Sequence, residues 1–133
     1  MDSIFVPSLQ AAFTAIAATA LFDNDIRNEI TGELGLLPYI QASLSHRHVG
    51  VRYSACHCAR ALSRAVAVLR TNLVDTGLGL AVFDVFLRED EDMRVMSAAS
   101  AVVCNLVTDF SPLKNVSVCV KITSLCGSLI MFC

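Results

Sequence analysis

The chain of 133 residues predicts an all-α fold in which one helical unit is stacked on itself as an α-solenoid. Three observations predict it. Val51, Ala55, Cys58, Ala59 and Leu62 form an apolar stripe at helical spacing. At about 3.6 residues per turn they share one side of a helix. The stripe returns 44 residues later as Val95, Ala99, Val102, Val103 and Leu106, and 44 residues earlier, more weakly, as Pro7, Ala11, Thr14, Ala15 and Ala18. The same period extends outside the stripe: Gly35 precedes Gly79 by 44 residues, with Leu34 and Leu36 flanking one and Leu78 and Leu80 the other. Tyr39 then matches Phe83, Ile30 matches Val74 and Asn28 matches Asn72, so the register is expected to run without a gap from about Asn28 to Leu106. A fixed period of about 20–50 residues is the signature of stacked structural repeats.

The elements follow in order. Pro7 suits the first turn of a helix, where its missing N–H costs nothing, and that helix is expected to reach Phe22. Asp23, Asn24 and Asp25 supply turn and cap chemistry for a short helix over 26–33. Gly35 breaks the path, Pro38 opens a middle helix over 36–44, and a long helix over 49–65 closes the unit. The second unit repeats the plan, with a short helix over 68–74, a break at Gly77 and Gly79, a middle helix over 81–88 and a long helix over 93–108. Three helices in 44 residues is the size of an armadillo or HEAT repeat, and the glycine between the first two helices favours armadillo. The expected organisation is therefore a closing helix of a preceding repeat over 1–22, armadillo repeats over 23–65 and 66–114, and a non-repeat tail over 115–133. The tail reads VSVCVKITSLCGSLIMFC from Val116. It is rich in β-branched residues, carries no continuing stripe, and is the kind of sequence that an intron left in a gene model would encode.

Composition narrows the function. Apolar residues make up 55% and charged residues 17%, enough to build a core and too apolar for a disordered chain. The net charge of −2 gives no basic field for nucleic acid. The apolar span over 8–22 is shorter than the roughly 20 residues of a membrane helix, holds Gln10, and follows Asp2 rather than the basic residues of a secretory signal. No membrane partner is expected. Cys56, Cys58, Cys104, Cys119, Cys126 and Cys133 form no regular disulfide framework, which favours a reduced, intracellular protein.

Candidate chemistry is sparse. Cys56, His57 and Cys58, with His46 and His48 nearby, suggest a metal cluster, but residues two apart on a helix point about 200° apart and cannot readily grip one ion. No metal and no cofactor is expected. Arg52, Arg60 and Arg64 fall at spacings of eight and four on the long helix and read as a basic stripe able to meet an acidic partner. Glu89, Asp90, Glu91 and Asp92 precede the second long helix, where acidic residues favour the helix dipole and Asp92 can cap it. No nucleophile–base arrangement and no phosphate loop is present, so no enzyme activity is expected.

Two stretches carry a closer likeness. They are HCARALSRAVAVLRTN from His57 and AASAVVCNLVTDFSPLKN from Ala98, with the Phe110-Ser111-Pro112 exit and Lys114 the most specific part. These resemble the armadillo repeat-containing protein 8 family, whose fungal counterpart is the armadillo subunit of the glucose-induced-degradation ubiquitin ligase, the CTLH complex of animals. The resemblance covers roughly His48 to Lys114 and departs at Asn115 or Val116, so the chain reads as a truncated fragment. It implies a non-catalytic scaffold, cytoplasmic and nuclear, that joins a substrate receptor to a catalytic core. The expected partners are other subunits of that ligase, met through Arg52, Arg60, Arg64, Cys104 and Asn105 along the long helices. The alternative is a peptide-binding adaptor of the importin or catenin kind. Those rest on a Trp and Asn ladder, whereas this chain has no Trp and sets Ala61 and Ala17 where Asn105 would repeat. With two complete units and one leading helix, marginal stability and self-association through exposed ends are expected.

Overall fold

The computed structural model describes residues 5–64 and 77–107, and every regular element among them is helical. The helices are α1 (Phe5–Ala20), α2 (Asn24–Thr31), α3 (Leu37–Ser43), α4 (Val49–Ser63), α5 (Leu78–Phe86) and α6 (Met93–Val107). The expected helix over 68–74 and the tail over 115–133 lie outside the described residues.

Local chemistry sets the helix ends. Pro7 stands in the first turn of α1, where no N–H has an intrahelical partner, so the helix can start two residues earlier than expected. At its other end Arg27 Nη1 donates to the Ala20 carbonyl, and Arg27 Nη2 donates to Asn24 Oδ1 at 2.6 Å. The Asp23 carboxylate caps α2, accepting from the N–H groups of Asp25 at 2.7 Å and Ile26 at 3.3 Å. Pro38 sits in the first turn of α3. His48 caps α4 by accepting from Gly50 N–H at 3.2 Å. Asp92 caps α6, its carboxylate accepting from Arg94 N–H at 2.9 Å.

The three long helices form a row. α4 packs on α1 on one side and on α6 on the other, while α3 packs on α4 and α5 on α6. Helices α4 and α6 have the same length and start 44 residues apart. Their stripes are equally buried: Val51, Ala55, Cys58, Ala59 and Leu62, and Val95, Ala99, Val102, Val103 and Leu106, are each at most 2% exposed. Burying one such Val or Leu fully stabilises by about 1.5–3 kcal/mol, so these two faces hold the row together.

The expected register fails in two places. Gly79 does not correspond to Gly35. Gly79 is buried inside α5, whereas the left-handed glycines are Gly35 at φ 57° and Gly77 at φ 80°. Those two are 42 residues apart, and the same offset pairs the buried Leu37, Ile40 and Ser43 with the buried Gly79, Val82 and Val85. The second unit thus takes up two extra residues between its left-handed glycine and its long helix: 14 positions separate Gly35 from Val49, and 16 separate Gly77 from Met93. The leading stripe also fails. Pro7, Ala11, Thr14, Ala15 and Ala18 are all exposed, and α1 instead buries Phe13 and Ala20, with Leu9 and Ile16 partly covered. Those four precede Arg52, Cys56, Ala59 and Ser63 of α4 by 43 residues, not 44. They lie on the side of α1 that meets α4, and among the described residues nothing covers the opposite side.

Candidate protein-interaction surface

Helix α4 presents three sides. The stripe of Val51, Ala55, Ala59 and Leu62 is buried. A second side carries Arg52, Cys56 and Ser63 towards α6 and the connection before it. A third carries Tyr53, His57, Arg60 and Arg64 along a groove shared with α1.

The three arginines do not share a side. Eight residues make about 2.2 turns, so Arg52 is rotated by about 80° from Arg60. Its guanidinium joins two connections. Arg52 Nη1 donates to the carbonyls of His46 at 2.8 Å and Arg47 at 3.0 Å, before α4. Nε and Nη2 grip the Glu91 carboxylate, before α6, at 2.6–3.1 Å. The Glu91 side chain is 2% exposed and also accepts from Arg88 Nη1 at 3.3 Å and Asp92 N–H at 3.0 Å. Burial pushes its carboxyl up, but the hydrogen bonds from Arg52 and Asp92 N–H and the nearby guanidinium charges outweigh that and hold it below its ordinary value. Arg52 therefore faces a neighbouring unit of its own chain rather than the groove. The acidic run does more than cap a helix: Asp92 caps, and Glu91 ties the two units together.

Arg60 and Arg64 are exposed on the rim of the groove, which has a volume of about 460 Å³. Its other lining residues are Thr14, Ala17, Ala18 and Leu21 from α1 and its end, and Tyr53, Ser54, His57 and Ala61 from α4. Tyr53 and His57 meet edge to face with ring centroids 4.5 Å apart. Burial first, and then the charge of Arg60, lowers the His57 pKa, so this ring is neutral at pH 7. Tyr53 and His57 were legible in principle, since 53, 57, 60 and 64 keep helical spacing. Glu91 and the α1 wall had no local signal.

Cys104 and Asn105 are half-buried on α6, where Cys104 takes the position that Arg60 holds on α4. Asn105 Nδ2 donates to Ser63 Oγ at 3.0 Å across the α4–α6 seam. The two thiols of the apparent cluster point into different surroundings. Cys58 Sγ donates to the Phe13 carbonyl at 2.9 Å, while Cys56 lies near Glu91, Arg88 and Arg52. Burial above all pushes both thiols up to about 12, and the Glu91 charge adds to this for Cys56, so both stay protonated near neutral pH. Among the described residues, no three His, Cys, Asp or Glu side chains are placed to share a metal ion, and no helix is long and apolar enough to cross a membrane.

Long helices packed in series, with shorter helices against them and a left-handed glycine opening each middle helix, define an armadillo-type α-solenoid. The chain is 35% identical over 106 residues to Armadillo repeat-containing protein 8 of Danio rerio, covering 80% of this chain and 16% of that protein. It is 36% identical over 107 residues to GID complex subunit 5 of Schizosaccharomyces pombe, covering 80% of this chain and 13% of that protein. It is also 36% identical over 106 residues to Armadillo repeat-containing protein 8 of Xenopus laevis, covering 80% and 14%. The chain is a homologue of these armadillo repeat proteins and matches a fragment of them, spanning 13–16% of their length. No family model and no solved structure matches it.

Proposed function

We propose that the chain is a non-catalytic interaction scaffold: a segment of the armadillo subunit of a multi-subunit ubiquitin ligase, linking a substrate receptor to a catalytic core in the cytoplasm and nucleus. The observation that carries this reading is the match to a protein named as a GID complex subunit, on a chain whose long helices form a continuous row. The buried, protonated Cys56 and Cys58 offer no nucleophile, which agrees with a binding role. Arg60 and Arg64 on α4, with Cys104 and Asn105 at the corresponding level of α6, are the proposed contacts. Arg52 serves them indirectly, by fixing how the units sit.

The test is affinity purification of the tagged full chain from source cells, followed by mass spectrometry. Co-recovery of the other ligase subunits supports the scaffold reading. A preparation that recovers the tagged chain but none of them overturns it.

A further inference from the structure

We infer that this chain is protected from the ubiquitin transfer it is proposed to scaffold, because arginine fills its cationic positions and leaves no lysine amine for its own complex to modify. The inference rests on the scaffold reading and adds to it a control over which protein is modified.

The sequence carries the first half of the case. Residues 1–113 hold eight arginines and no lysine, and the two lysines of the chain are Lys114 and Lys121. Lysine is among the commonest residues of globular chains, and it is mostly exposed, as arginine is. Shape accounts for arginine at two of the eight positions. Arg27 is 7% exposed and sends Nη1 to the Ala20 carbonyl and Nη2 to Asn24 Oδ1. Arg52 reaches two backbone carbonyls and both oxygens of the Glu91 carboxylate. A planar fork with N–H donors on three nitrogens spans acceptors set apart in this way, and the single nitrogen of a lysine does not.

The exposed positions make no such demand. Arg47, Arg60, Arg64 and Arg94 are all exposed. Arg94 keeps 69% of its side-chain surface and pairs with Asp92 at 3.1 Å. A solvent-exposed pair of this kind contributes little, and a lysine would serve charge and solubility there equally well. What separates the two side chains at such places is reactivity. In ubiquitin transfer a deprotonated lysine Nζ attacks a thioester carbonyl carbon. The C–N bond forms, the C–S bond breaks, and the remaining amine proton passes to the leaving thiolate. A guanidinium stays protonated and offers no lone pair for that attack. Proximity sharpens the need. A subunit tethered beside the thioester meets it at an effective concentration of about millimolar. An exposed amine on the scaffold would therefore compete with the intended substrate at every turnover.

Amines placed on the same surface test this in source cells. Three tagged full chains are compared: wild type, Arg47→Lys with Arg94→Lys, and Arg47→Gln with Arg94→Gln. Ubiquitin-remnant peptides are mapped by mass spectrometry, and half-lives are followed after translation arrest. The glutamine pair alters both side chains without adding an amine. Remnants at positions 47 and 94 of the lysine pair are expected, with a half-life at least threefold shorter than in the other two chains. Both effects are expected to vanish in cells lacking the catalytic subunit of the ligase. A lysine pair that recovers ligase subunits yet carries no remnant at 47 or 94 overturns the inference and leaves the scaffold standing. Remnants that persist without the catalytic subunit also overturn it, because another ligase is then their source. A half-life shortened equally in the glutamine pair overturns it too, because lost stability then accounts for the change. If wild type recovers no ligase subunit, the scaffold reading falls and the inference falls with it.

Discussion

Glu91 is the residue on which the contact between units turns. It is buried and ionised because Arg52, Arg88 and the Asp92 N–H surround it. Removing one partner of a fully buried pair costs about 3–5 kcal/mol. Arg52 and Arg88 keep 17% and 35% of their side-chain surface, so solvent takes up part of the loss. Glu91→Gln is expected to lower unfolding stability at pH 7 by about 2 kcal/mol, read from urea melts. The pH dependence has a definite sign. The folded state holds the Glu91 carboxyl below its ordinary value of 4.5, so the unfolded chain takes up the proton first on acidification. The stabilisation is full above that ordinary value and is lost as pH falls through the lower folded value. The Gln variant should therefore show a shallower loss of stability on acidification than wild type, and equal slopes would refute the assignment. The thiols give a second residue-scale prediction. With both pushed up to about 12, Cys56 and Cys58 should resist iodoacetamide at pH 8 until denaturant is added, as read by peptide mapping. Labelling of either in the folded chain would contradict their burial.

At the scale of elements, Gly35 and Gly77 make the sharpest case. Each has positive φ, and an added Cβ would meet nothing within 4 Å at Gly35 and only Gln41 Nε2 at 3.5 Å at Gly77. The cost of a side chain is then one of backbone conformation. Gly35→Ala and Gly77→Ala should each lower stability by about 1–2 kcal/mol in thermal or urea melts. Leu62→Ala, which opens a hole between elements, should cost about 2–5 kcal/mol. The same glycines show what the sequence could reveal. The stripes of α4 and α6 were legible because a long helix buried on several sides repeats the same small and large residues. Gly35 was matched to Gly79 because a single period of 44 was carried through the connection before α6, and no composition signal marks the two extra residues there. Those residues lie in the stretch that brings Glu91 back onto Arg52. The groove was half legible: Arg60 and Arg64 stood out, but its α1 wall depends on how two helices approach, which local spacing does not encode. In α1 the small residues Pro7, Ala11, Thr14, Ala15 and Ala18 stay exposed, with Thr14 and Ala18 on the open groove beside α4 rather than in a buried seam.

At the scale of the whole molecule, a solenoid is held by contacts between neighbours, so its stability is a sum of unit and interface terms. The interface here combines the apolar α4–α6 face, the Asn105–Ser63 bond and the Arg52–Glu91 clasp. The proposed scaffold role would need that interface to be stiff, because a contact surface built across units keeps its shape only if the units do not move against each other. The central claim is that side chains of one unit hold the next in a fixed relation. A double-mutant cycle on Arg52→Ala and Glu91→Ala, read as unfolding free energies at pH 7, measures that relation without assuming any partner. Stacked units predict a coupling energy of about 1–3 kcal/mol between the two sites. A coupling indistinguishable from zero, with both single variants folded, would contradict the account.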